Sequence, residues 1–211
     1  LIRVRLVGDM SGSMDEEKKH VLQQCFVLLL SSLSDFDTQL RFNRSQTKSK
    51  LKVDTEAWVF GDKPQRVKHF LGESGVDDEM KETIRIFEKL QETNGNTYDN
   101  KVLELIVGSL TTEDIAKIKK QKIMDLVCEI TDGGSTDQEA SKKSVDALEE
   151  AKIIGGAFQI GTVTDEEKDI FNYVWNKGRE ETRGFYVGPE LKNLLPALVE
   201  WVKKYLSGVR L

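Results

Sequence analysis

The alternation of short apolar runs with amphipathic stretches limits the fold of this chain more than any other feature. The runs have strand length and end at turn-forming residues, and the stretches between them repeat apolar residues at helical spacing. Strands separated by helices form parallel βαβ units, and right-handed crossovers place helices on both faces of the sheet. The predicted strands are 2–7, 53–60, 65–70, 123–130, 153–160 and 184–187; the predicted helices are 16–33, about 80–87, 102–110, 136–152, one from 164 and one from 189.

One pair of strands departs from the parallel pattern. Residues 61–64, Gly-Asp-Lys-Pro, are turn-formers between two extended runs and predict a hairpin. Its second strand, 65–70, returns antiparallel at the edge of the sheet, where Pro64 is tolerated. We therefore predict an α/β fold: a doubly wound, mostly parallel six-stranded sheet with one antiparallel edge strand and helices on both faces.

Length and composition limit the class of protein. A chain of 211 residues fits a single domain spanning 1–211, and its start inside a strand indicates a domain excised from a longer protein. The net charge of −5 does not favour nucleic acid as a partner, and no run reaches the ~20 apolar residues of a membrane span. The two cysteines lie among apolar residues, which is typical of reduced core thiols and favours a cytoplasmic location.

A carboxylate and two hydroxyls follow the first predicted strand. Asp9, Ser11 and Ser13 stand at alternate positions of the segment Asp-Met-Ser-Gly-Ser, just before an acidic helix start. Such oxygen ligands suit a hard cation, above all Mg²⁺. The carboxyl ends of strands are also where open α/β sheets bind ligands. The segment therefore predicts a divalent-metal site.

Three loops of the chain carry hydroxyl or carboxylate side chains: Asp9-Met10-Ser11-Gly12-Ser13, Gly95-Asn96-Thr97 and Ile130-Thr131-Asp132-Gly133. In sequence and order they resemble an intact metal-ion-dependent adhesion site (MIDAS) of the von Willebrand factor A (VWA) domain family. The resemblance runs from the first strand to the last helix.

The resemblance implies a set of metal ligands. Hydroxyls of Ser11, Ser13 and Thr97 would bind the metal directly, while Asp9 and Asp132 would act mostly through bound water. The metal would be Mg²⁺, with Mn²⁺ or Ca²⁺ as alternatives. Hydroxyl ligands leave most of the cation's charge uncancelled, so an Asp or Glu of a partner protein would complete its coordination. The expected function is a metal-dependent protein-interaction module.

Simpler interpretations stay open for the same residues. Ser11, Ser13 and Thr97 can instead cap helices, and Asp132 can be a turn residue. Thr93 is a rival ligand to Thr97, which we prefer because it follows glycine and starts a helix. We expect exposed helix-start acids at Asp15 and Asp99, and helix caps at Ser135 and Asp137. Asn96 stands where the family often has glycine.

Enzymatic function is not expected. A haloacid-dehalogenase-type phosphotransferase needs a second carboxylate at position 11, which is Ser11. The chain lacks a serine-hydrolase elbow and a P-loop, and neither histidine has metal spacing or a credible position as a base. The alternative function is a structural domain, with a metal site that no longer binds partners, in a complex associated with an AAA+ ATPase or a chelatase. By analogy, we expect an intracellular, prokaryotic-type protein and an AAA+ ATPase as a possible partner.

Two polar segments fall outside this pattern. The stretch 38–52 carries five basic residues and no acid, which predicts a solvated loop or helix extension, with a docking patch for an acidic partner as the alternative. The stretch 111–122 receives no functional interpretation.

Overall fold

The computed structural model describes residues 1–42, 51–70, 88 and 95–206. Its sheet has six strands in the order β3-β2-β1-β4-β5-β6. Every neighbouring pair is parallel except β2 and β3, which are antiparallel. The predicted doubly wound sheet with an antiparallel edge strand is therefore confirmed. Its strands are β1 (Ile2–Asp9), β2 (Val53–Phe60), β3 (Gln65–Lys68), β4 (Met124–Thr131), β5 (Ile154–Ile160) and β6 (Gly184–Gly188).

The strand order reverses direction next to β1. The chain moves from β1 outward to β2 and β3 on one side, then returns to place β4, β5 and β6 on the other. The loops that leave the carboxyl ends of β1 and β4 consequently diverge to opposite faces of the sheet. Such a switch point opens a crevice at the carboxyl edge, which is the usual ligand position in open α/β sheets.

Helices cover both faces. They are α1 (Glu16–Phe42), α2 (Asp99–Gly108), α3 (Thr112–Lys119), α4 (Gln138–Glu150), α5 (Asp165–Trp175) and α6 (Leu194–Leu206). A first core packs α1 and α6 on one face, centred on residues such as Phe26 and Trp201. A second core packs α2, α4 and α5 on the other, where Ile106, Leu148 and Trp175 are buried.

Several predicted boundaries were wrong for identifiable reasons. Helix α1 continues to Phe42 because buried Asp37 accepts a hydrogen bond from the Val53 N–H (2.7 Å), a tertiary contact that the local pattern does not reveal. Helix α3 was missed in the polar stretch 111–122, although Thr111 and Asp114 form a capping box there. The last helix begins at Leu194, after a 3₁₀ turn (Leu191–Asn193), and not at Pro189.

Other predictions are confirmed or fall outside the described residues. Thr164 and Glu167 form the expected capping box of α5. The start of the basic stretch, 38–42, is the end of α1, as a helix extension predicts, while 43–50 lie outside the described residues. The predicted helix near 80–87 and the rival ligand Thr93 also lie outside them. Both cysteines are free and buried. Among the described residues, no helix has the length and hydropathy needed to cross a membrane.

Candidate metal centre

Three loops meet at the crevice beside β1. We call residues 9–14 loop one, 95–98 loop two and 131–137 loop three. The Gly12 N–H donates to the Gly95 carbonyl (2.8 Å), which joins loop one to loop two. The Thr136 N–H donates to the Thr97 carbonyl (2.9 Å), which joins loop two to loop three. The three segments predicted from sequence are therefore adjacent in space.

Asp9 anchors loop one below the surface. Its carboxylate is fully buried and accepts hydrogen bonds from the Ser11 N–H (2.7 Å) and from the Thr131 hydroxyl (2.7 Å). Burial raises the pKa of Asp9 to about 6, although these hydrogen bonds act in the opposite direction. A nearby cation would favour the ionised form of this carboxylate. The position therefore suits a carboxylate that lies next to a metal ion.

The hydroxyls of loop one form a chain that leads to loop three. Ser11 Oγ and Ser13 Oγ share a hydrogen bond (3.0 Å), and the Ser13 hydroxyl donates to Asp132 Oδ1 (2.7 Å). Ser11 is buried, whereas Ser13 faces solvent. The structure thus brings together four of the five predicted residues, Asp9, Ser11, Ser13 and Asp132, through direct hydrogen bonds of these side chains and the Ser11 backbone.

Thr97, the fifth predicted residue, is positioned by its backbone. Its N–H donates to the Thr136 hydroxyl (3.0 Å) while its carbonyl accepts from the Thr136 N–H, so loop three fixes it on both sides. Thr97 does not start a helix as predicted, because α2 begins at Asp99 after Tyr98. The role of its hydroxyl as a ligand stays a prediction.

The hairpin turn after β2 holds loop two in shape. Asp62 Oδ1 accepts hydrogen bonds from both the backbone N–H and the side-chain amide of Asn96 (2.9 Å each), and these bonds lower the pKa of Asp62. Gly95 has φ +66°, and a Cβ there would lie 1.9 Å from the Asp62 carboxylate, so the position requires glycine. Asn96 therefore supports the loop geometry, although it departs from the family pattern.

Lys18 is a site residue that the sequence analysis missed. Its ammonium donates to Asp132 Oδ2 (2.6 Å) and to the Ser13 carbonyl (3.1 Å). The one signal in the sequence is a lysine in the first turn of a helix, where the helix dipole disfavours positive charge. A nearby acid offsets that effect, and in the structure the nearest one is Asp132.

A second layer of carboxyl groups lies below the loops. Asp99 is buried and accepts hydrogen bonds from the hydroxyls of Ser135 (2.5 Å) and Ser141. The prediction of an exposed Asp99 was wrong, and so was that of Ser135 as a helix cap; the cap of α4 is Asp137, as predicted. Burial, together with the charges of Asp99 and Asp9, raises the pKa of Glu129 well above its usual range.

The donor set fits a hard divalent cation. Among the described residues, no three His, Cys, Asp or Glu side chains are grouped so that they could hold a metal. The candidate donors are instead the hydroxyls of Ser11 and Ser13 with the carboxylates of Asp9 and Asp132. An all-oxygen set of this kind favours Mg²⁺, Mn²⁺ or Ca²⁺ over metals that prefer thiolate or imidazole.

Solved structures share this architecture. The VWA domain of SpRpn10 matches 95% of this chain and 95% of its own length, with a TM-score of 0.59 and 8% identity. The chain has the VWA fold. Proximal thread matrix protein 1 from the mussel byssus, with a zinc-occupied MIDAS motif, matches 97% of this chain and 45% of its own length (TM-score 0.65, 15% identity). Manganese-loaded TRAP protein from Plasmodium vivax matches 92% of this chain and 71% of its own length (TM-score 0.54, 13% identity).

Sequence comparisons add less. No family model matches the chain. An uncharacterized protein of Treponema pallidum (strain Nichols) is 27% identical over 208 residues, which cover 99% of this chain. The VWA-fold chain spans about a third of the length of that relative (34%).

Proposed function

We propose that this chain is a VWA domain with an intact MIDAS, which binds a divalent cation and, through it, an acidic residue of a partner protein. The observation that carries the proposal is the hydrogen-bonded chain from Asp9 through the loop-one serines to Asp132. This chain lies at the switch point of the sheet, and its side chains offer a metal only oxygen atoms as ligands.

The donor chemistry gives each residue a role. Ser11, Ser13 and Thr97 would bind the cation, which we propose to be Mg²⁺ in the cell, through neutral hydroxyl oxygens. Asp9 and Asp132 would hold water molecules on the metal, because both carboxylates already accept hydrogen bonds within the loops. The metal then keeps most of its positive charge and attracts an external carboxylate.

The comparisons support a divalent cation without identifying which one. The mussel protein has zinc in its MIDAS motif, and the TRAP protein is manganese-loaded. The relative in Treponema pallidum supports a prokaryotic-type setting, and the two free buried thiols support a cytoplasmic one. An AAA+ ATPase as partner remains part of the proposal by analogy alone.

We propose no catalytic role for the loop-one serines. In the described part of the chain, the Ser11 and Ser13 hydroxyls hydrogen-bond to each other and to Asp132. The ring of His20 instead contacts the side chain of Gln24 (2.9 Å) on α1. A nucleophilic serine is activated by an adjacent base, and the one carboxylate that Ser13 contacts, Asp132, is ion-paired with the Lys18 ammonium (2.6 Å).

Peptide selection in Mg²⁺ tests the proposed interaction. A display library in which every peptide carries one Asp or Glu is selected on the chain, and each selected peptide is measured again in its Asn or Gln form. We expect binding to weaken by about tenfold or more in EDTA and in the amide form, because a charged, metal-bridged contact is lost. Ser13→Ala should weaken it similarly.

The control variant is Ser31→Ala, an exposed serine on α1, which should bind like the parent chain. Equal binding in EDTA, or equal binding of the amide peptides, would overturn the proposal. A chain that Mg²⁺ stabilises against heat, but that selects no acid-dependent peptide, would favour the structural domain with a non-signalling metal site.

A further inference from the structure

The Lys18 ammonium occupies a defined position beside the proposed ligands. Its Nζ is 2.6 Å from Asp132 Oδ2 and 3.1 Å from the carbonyl oxygen of Ser13. The Lys18 side chain is 18% exposed and that of Asp132 only 1%, so this ion pair is largely shielded from water. A shielded pair keeps more of its Coulomb energy than a surface pair does.

The surroundings leave room for the lysine stem. Gly161, directly after β5, has φ +83°, and a Cβ there would lie 3.0 Å from Lys18 Cε. A second acid also lies within reach, because Asp15 Oδ2 is 3.9 Å from the ammonium and its side chain is 62% exposed. Lys18 therefore has an inner partner, Asp132, and an outer one, Asp15.

We propose that Lys18 is an internal competitor of the divalent cation for Asp132. Without metal, the ammonium neutralises Asp132 and holds loop one against loop three through two hydrogen bonds. When the cation binds, repulsion between the two positive charges moves the ammonium outward to Asp15. This inference rests on the proposed function, since it requires a cation at the three loops.

The proposal has two measurable consequences of opposite sign. Removing the charge of Lys18 leaves buried Asp132 without its cation, so the metal-free chain should lose thermal stability. The same change removes a competitor, so the metal should bind more tightly. A lysine with a purely structural role would give the first effect without the second.

The test variant is Lys18→Met, which keeps an unbranched side chain only one atom shorter and removes the charge. The control is Lys101→Met. The Lys101 ammonium is also close to loop two, 3.7 Å from the centre of the Tyr98 ring, but it donates to the backbone carbonyl of Asp62 (2.9 Å) and not to a proposed ligand. Calorimetric titration with Mn²⁺ should show about tenfold tighter binding for Lys18→Met and little change for Lys101→Met.

A second measurement uses the unaltered chain and therefore does not depend on the folding of a variant. Acetylation of lysine amines, followed by mass spectrometry, is compared in EDTA and in saturating Mn²⁺. We expect Lys18 to react several-fold faster with the metal present, because its amine leaves the shielded pair, while Lys101 reacts at the same rate in both conditions.

The outcomes separate this inference from the proposed function. Suppose first that the unaltered chain binds Mn²⁺. If Lys18→Met then binds Mn²⁺ with the same affinity, or if the metal does not change the acetylation rate of Lys18, the competition is overturned and the metal site stands. If neither the unaltered chain nor Lys18→Met binds Mn²⁺, both proposals fail. Tighter binding by Lys18→Met together with metal-enhanced acetylation of Lys18 supports both.

Discussion

Buried acids are the most unusual single residues of this structure. Asp9, Asp99 and Glu129 are each at most 1% exposed, and all three lie at or near loops one and three. Asp9 and Asp99 accept hydrogen bonds from hydroxyls, whereas Glu129 Oε2 has no hydrogen-bond partner. Burial, the neighbouring charges of Asp99 and Asp9 and this unpartnered oxygen all favour the protonated form of Glu129.

Glu129→Gln should stabilise the chain increasingly as the pH rises. The pKa of Glu129 is raised in the folded state, so the folded chain holds this proton above the unfolded-state pKa. Unfolding free energy is therefore lost as the pH rises from the unfolded pKa towards the folded one. The neutral glutamine avoids this loss, which amounts to about 1.4 kcal/mol for each pH unit between the unfolded-state and folded-state pKa values. Urea unfolding between pH 5 and 8, relative to the parent chain, measures it.

Glu166→Gln is the matched control, because Glu166 is exposed in the first turn of α5. The difference in unfolding free energy between Glu166→Gln and the parent chain should stay nearly constant with pH. If the corresponding difference for Glu129→Gln is also constant, or becomes smaller as the pH rises, the assignment of a raised pKa to Glu129 is contradicted.

The sequence predicted candidate site residues, but not the residues that hold them in place. The DxSxS pattern led to Asp9, Ser11 and Ser13 because it lies within one loop, and their role as metal ligands stays a prediction. Lys18, Thr131 and Thr136 were not assigned roles, since their contacts join separate segments: Thr131 reaches Asp9, and Thr136 reaches Thr97. Such contacts depend on tertiary packing, and no local spacing reveals them.

Among elements, strands were easier to predict than the ends of helices. Strand β2 has the predicted bounds, and its end is marked by the turn-forming residues 61–64, which directly follow its apolar second half, 57–60. Helix α1 runs nine residues past its predicted end at 33, and α3 was absent from the prediction. Both errors arise because tertiary contacts and caps extend or stabilise helices that have weak apolar periodicity.

The packing of α6 on β5 depends on a glycine. A Cβ at Gly156 would lie 2.6 Å from the Trp201 ring, closer than real side chains approach. Gly156→Ala should therefore push α6 away from the sheet and lower the unfolding free energy by about 1–3 kcal/mol. Urea denaturation measures the change.

Gly108→Ala is the control for that substitution. Gly108 is the last residue of α2, and a Cβ there would meet nothing within 4 Å. Alanine favours helix over glycine by up to about 1 kcal/mol, so this variant should be neutral or slightly stabilised. If Gly156→Ala were equally neutral, the close contact between β5 and α6 would be wrong.

At the scale of the whole molecule, the topology creates the site. The order of strands places the end of β1 beside the end of β4, and the reversal next to β1 separates the helices that follow them. The sequence predicted the doubly wound, mostly parallel sheet from the alternation of elements together with one hairpin, but it did not give the strand order. The way in which the hairpin turn holds loop two through Asp62 and Asn96 became visible only in three dimensions.

We propose that one divalent cation lies where the three loops meet, and anomalous diffraction from Mn²⁺ is the sharpest test of that site. Crystals soaked in Mn²⁺ are measured near the manganese absorption edge. We expect one strong anomalous peak roughly 2–2.5 Å from the Ser11 and Ser13 hydroxyl oxygens, with Thr97 Oγ1 in the same coordination shell. A well-ordered crystal with no anomalous peak at this position would contradict the proposed site. So would a metal bound elsewhere with the Thr97 side chain directed away from it.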